Sequence, residues 1–66
     1  MNKDVNQLIK TVRKVGGFEV GYTKRHVVVT NIATGERAIL PKTPSDSRWR
    51  KNAVADLRRI GFIPPR

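Results

Sequence analysis

The chain has no cysteine, one histidine and only five carboxylates among its 66 residues, and each shortage narrows what it can be. Without cysteine there is no disulfide to staple so short a chain, and His26 has no second ligand at metal-site spacing, so a structural zinc is not expected either. The fold must then rest on the hydrophobic effect, through roughly a dozen aliphatic and aromatic side chains. The carboxylates Asp4, Glu19, Glu36, Asp46 and Asp56 are scattered, with no pair placed as a catalytic metal would require. Lys42-Thr43-Pro44-Ser45 lacks the spacing of a phosphate-cradling P-loop, so it reads as a connector. No cofactor and no metal are expected. Long apolar runs are missing too, with no window near the roughly 20 residues needed to cross a bilayer. Met1-Asn2-Lys3-Asp4 leads into an amphipathic stretch rather than a signal peptide, which points to the cytoplasm. The absence of cysteine is compatible with a reducing compartment.

What the chain has in abundance is positive charge. Fourteen Lys and Arg against five Asp and Glu give a formal net charge of +9. Self-repulsion on that scale is unfavourable in a body that buries only about 60% of its unfolded surface. A polyanionic partner is the natural explanation, and nucleic acid held through its phosphates is the expected one.

The length implies one domain over residues 1–66, the last three forming a short tail. Asp4 to Val15 reads as a helix, because Val5, Leu8, Ile9, Val12 and Val15 share one face. Asn2 or Asp4 is placed to cap it, and Gly16-Gly17 to stop it. Lys10, Arg13 and Lys14 lie off the apolar face. Phe18 to Tyr22 has the alternation of a strand, and Thr23-Lys24-Arg25 forms a basic turn. His26 to Asn31, with its Val27-Val28-Val29-Thr30 run, is a second strand. Gly35 marks another turn, and Arg37 to Leu40 is a short third strand closed by Pro41. Ser45-Asp46 offers an N-cap for a second helix from about Ser47 to Ile60, with Gly61 as its stop. On that helix Trp49, Ala53, Leu57 and Ile60 fall within about 80° of one another, and Arg48, Lys51, Arg58 and Arg59 lie roughly opposite. Phe62 and Ile63 are placed to fold back onto the core. The expected architecture is α+β: an α-β-β-β-α chain with a three-stranded antiparallel sheet and two helices packed on one face.

That order resembles two groups of proteins, the double-stranded RNA-binding domains and the small HicA-type toxin ribonucleases built on the same plan. The HicA-type likeness is carried by Gly17-Phe18 opening the first strand, the basic turn Lys24-Arg25, His26 beginning the second strand, and the closing Leu57-Arg58-Arg59-Ile60-Gly61-Phe62. The sequence departs from the HicA pattern where Arg25 precedes the histidine in place of a small residue, and the interval from Gly17 to His26 is slightly short. The start of the second helix, Arg48-Trp49-Arg50-Lys51-Asn52-Ala53, resembles the basic helix that spans phosphates in double-stranded RNA-binding domains. These resemblances imply a metal-independent messenger-RNA-cleaving toxin with His26 as its catalytic residue, and a cognate antitoxin protein that masks it.

The residues themselves support binding more broadly than cleavage. Histidine is suited to take a proton from a ribose 2′-hydroxyl, and Lys24 and Arg25 beside His26 would stabilise the charge developing on phosphorus. A general acid for the leaving group is harder to find, with Tyr22 and Lys24 as weak candidates. Trp49, in register with Ala53 and Leu57, reads as core rather than as a base-stacking platform. The expected nucleic-acid-binding residues are Lys24, Arg25, Arg48, Arg50, Lys51, Asn52, Arg58 and Arg59, with RNA favoured over DNA. Arg50 and Asn52 keep DNA groove readout open. The alternative is a non-catalytic DNA-binding or protein-binding accessory protein of the phage type. A membrane-surface role is disfavoured because each helix needs its apolar face for the core.

Overall fold

The computed structural model describes residues 3–64. It contains α1 (Lys3–Val15), β1 (Phe18–Tyr22), β2 (His26–Asn31), β3 (Arg37–Pro41) and α2 (Trp49–Arg59). The strands form one antiparallel sheet in the order β1-β2-β3. Val27, Val29, Ala38 and Leu40 on one sheet face join Val5, Leu8, Ile9 and Val12 of α1 and Ala53 and Leu57 of α2 in a single buried cluster. Both helices therefore cover the same face, and no described element covers the other. This is the α-β-β-β-α arrangement the sequence implies. No helix among the described residues is long and apolar enough to cross a membrane.

The first helix follows its pattern, with the buried side chains of Val5, Leu8, Ile9 and Val12 at helical spacing. Val15 is the exception, 44% exposed at the last helical position. Immediately beyond it Gly16 and Gly17 both take φ +82°, and the chain turns toward β1 before Val15 can reach the sheet. Asp4 lies inside the first turn rather than at the cap, and Asn2 falls outside the described residues.

The second helix starts later than its cap signal suggests. Asp46 does accept from the backbone N–H of Arg48 (2.9 Å), but this closes a local turn, and helical residues begin only at Trp49. Aspartate bonding two residues ahead offers the backbone an alternative to a helical turn. The C-terminus ends in a tight double closure. The Phe62 N–H donates to Leu57 O (3.0 Å) and the Gly61 N–H to Arg58 O (3.1 Å), while Gly61 holds φ +97°. That is the Schellman arrangement, in which the residue after the glycine packs back against the last turn. Phe62 consequently enters the core, where its ring meets Phe18 edge-on at 5.8 Å. Ile63 does not follow and stays 79% exposed.

Asn31 joins the far ends of β2 and α2. Its Nδ2 donates to Ile60 O (2.6 Å), and its Oδ1 accepts from the N–H groups of Ala33 (2.9 Å) and Thr34 (3.4 Å). One side chain thus satisfies the end of a helix and organises the β2–β3 turn. Asn31→Ala would leave the Ile60 carbonyl and the turn N–H groups without this partner. We expect a stability loss of about 1–3 kcal/mol, measured by urea denaturation. A loss indistinguishable from zero would mean that water replaces the side chain at no cost.

Candidate nucleic-acid interface

The β1–β2 connection is a two-residue loop, Lys24-Arg25, between Thr23 and His26. Such tight hairpins usually rely on residues with positive φ, yet no described residue other than glycine adopts one. Thr23 closes the turn instead. Its N–H donates to His26 O (2.9 Å), and its Oγ1 accepts from the His26 N–H (3.0 Å). Lys24 and Arg25 are thereby held at the tip, exposed.

Three further residues converge behind that tip. The Lys42 N–H donates to Arg25 O (3.4 Å), extending the β2–β3 ladder one pair past β3. The Lys42 ammonium lies over the Tyr22 ring, 5.7 Å from its centroid, within range of a cation–π attraction. From α1 the Arg13 guanidinium donates to the Tyr22 hydroxyl (3.3 Å). Arg13, Lys24, Arg25 and Lys42, on three separate segments, therefore gather at one end of the sheet. The one salt bridge between described residues, Arg59 to Asp56, lies elsewhere, so no described carboxylate is ion-paired with this group.

His26 stands on the other side of the sheet from part of this group. Val27 is buried beneath the helices, so strand alternation turns His26, Val28 and Thr30 to the open face. Tyr22 pairs with Val27 and belongs to the helix side. Tyr22 is consequently not presented to the imidazole as a proton donor. The His26 ring is exposed and has no hydrogen-bond partner among the described residues.

The basic residues of α2 divide into three groups. Ile39 and Pro41 share a groove with Trp49 and Asn52, whereas Arg37 shares one with Arg59 and Ile60. The N-terminal half of α2 therefore lies toward the Lys24-Arg25 end of the sheet, and Arg59 at the opposite end. Arg50, Lys51 and Arg58 border one shallow depression floored by Val54 and Ala55, and form a continuous basic stripe. Asn52 instead faces the β3 groove beside Asp46 and Asp56, away from that stripe. Arg48 is exposed at the N-cap, and Arg59 is engaged with Asp56 (3.4 Å). Trp49 is half-buried and packs against the core, in line with its helical register.

Arg13 and Lys42 belong to this cluster although neither stands in a basic run near the turn. Nothing in their local sequence marks them, since the first approaches through Tyr22 and the second through the strand register. No protein-family model, no curated protein and no solved structure matches this chain.

Proposed function

We propose that this protein binds nucleic acid through its phosphates, RNA in preference to DNA. The carrying observation is the convergence of Arg13, Lys24, Arg25 and Lys42 at one end of the sheet, none of them ion-paired with a described carboxylate. Gathering four cations without neutralisation costs electrostatic free energy in the free protein, and a phosphate backbone relieves it. The stripe of Arg50, Lys51 and Arg58 on α2 offers further cations to a phosphate backbone. The preference for RNA rests on the likeness to HicA-type and double-stranded RNA-binding proteins.

The test is an anisotropy titration of a labelled RNA hairpin at low salt. Replacing both Lys24 and Arg25 with alanine should weaken binding roughly 10- to 100-fold, since each lost phosphate contact is worth about tenfold near 0.1 M salt. Arg59→Ala, at the far end and already paired with Asp56, should change it little. Equal losses for both variants, or no binding by the wild type, would refute the reading.

A second reading, metal-independent RNA cleavage, is favoured by one observation: the exposed His26 ring has no hydrogen-bond partner among the described residues, while Thr23 pins its backbone. The same hairpin incubated in EDTA decides it. Cleavage by the wild type that disappears in His26→Ala supports a ribonuclease, and intact RNA with undiminished binding makes the protein a binding module.

A further inference from the structure

We propose that Tyr22 is a stacking platform for an unpaired nucleobase, so that the basic end of the sheet selects single-stranded over duplex nucleic acid. This rests on the phosphate-binding reading above and specifies its ligand.

The chain has four aromatic residues, and three are used by the fold. Phe62 is buried, and Phe18 and Trp49 pack against the core. Tyr22 alone is left 49% exposed. It sits at the end of β1, on the helix side of the sheet, in the same row as Val27 and Leu40. There it is fixed at two points, by Arg13 on its hydroxyl and by the Lys42 ammonium over its ring. A ring immobilised in this way loses little conformational freedom when a ligand arrives. Lys42 can cover only one of its two faces. The cations that hold the ring, together with Lys24 and Arg25 two and three residues further on, are the groups a phosphate backbone would seek.

Aromatic side chains flanked by cations are how proteins hold single strands, the base on the ring and its phosphates on the charges. In a duplex the bases are stacked on one another and unavailable to a side chain, so the ring would contribute nothing to duplex binding. The cations would serve both ligands, which makes the ring the element that discriminates.

The experiment compares a short oligouridylate with an RNA duplex of equal length, using wild type, Tyr22→Phe and Tyr22→Ala. Tyr22→Ala should weaken oligouridylate binding roughly 5- to 150-fold, the range seen when one stacked base loses its ring, and weaken duplex binding far less, since the cations themselves remain. Tyr22→Phe, which keeps the ring but loses the bond to Arg13, should retain most of the oligouridylate affinity. A second measurement does not depend on any variant folding. Because the chain has one tyrosine, selective labelling reports on Tyr22 alone. Its ring protons should shift upfield with oligouridylate and stay in place with inorganic polyphosphate. Equal weakening of both ligands by Tyr22→Ala, or identical ring shifts with oligouridylate and polyphosphate, would overturn the stacking proposal while leaving phosphate binding intact. Failure of the wild type to bind either RNA would overturn both.

Discussion

Phe62→Ala is expected to remove a large part of the protein's stability. Phe62 is 1% exposed and is among the largest fully buried side chains, although it lies beyond the last helix and close to the chain end. Its position is dictated by the closure of α2, where the bond from its N–H to Leu57 O and the positive φ of Gly61 aim the ring inward. Once inside, it meets Phe18 edge-on and lies in the same buried cluster as Leu57 and Ile60. Truncating a buried phenylalanine costs about 3–5 kcal/mol. A chain of this length has roughly 3–10 kcal/mol of total stability at typical per-residue values, so the loss is about a third of the whole or more. Thermal unfolding followed by circular dichroism should show the midpoint fall by at least about 12 °C, given 4–8 °C per kcal/mol at this size. Ile63→Ala is the internal control. It alters the neighbouring residue but removes an exposed side chain, and should stay within about 0.5 kcal/mol of the wild type. Similar losses at the two positions would mean that the segment after α2 is not seated as described.

The contrast between Phe62 and Ile63 also shows where reading the sequence stops. Both are apolar and follow the same glycine, and composition alone gave each a claim on the core. Only the geometry of the closure separates them, because one residue beyond Gly61 points back along the helix and the next points away. Elements whose evidence is periodic were legible: the apolar stripe of Val5, Leu8, Ile9 and Val12, and the strand alternation of Phe18, Val20 and Tyr22, each sets its element and its inner face. The start of α2 was misplaced because Asp46 signals a cap and then spends its side chain on a local turn. The candidate site was legible in its local part, the Lys24-Arg25 turn, but not in its assembly. Arg13 reaches Tyr22 across nine positions and Lys42 meets Arg25 across the strand register. Asn31 meets Ile60 across 29. Contacts at such separations exist only once the sheet has formed.

Binding to RNA should weaken steeply and linearly on a log–log plot as salt rises, and the slope should be set by the cations at the turn end of the sheet. Counterion release gives a slope near −0.7 per neutralised phosphate on a single strand and near −0.9 on duplex DNA. The convergent group offers Arg13, Lys24, Arg25 and Lys42, and the stripe on α2 adds Arg50, Lys51 and Arg58. If about four to seven of these meet phosphate, an affinity for a single strand measured at 50 mM salt should fall roughly 50- to 900-fold by 200 mM. Paired substitution then locates the charge. Alanine at Lys24 and Arg25 should flatten the slope by about one to two units. Arg59→Ala should leave it unchanged, because that guanidinium sits at the opposite end of the groove beside Asp56. Tyr22→Ala should lower single-strand affinity at every salt concentration without altering the slope, because stacking releases no counterions. Charge and ring would then separate on one plot: a change of slope for the cations, a parallel displacement for Tyr22. A flat dependence in the wild type would exclude phosphate as the ligand, whatever the net charge of +9 suggests.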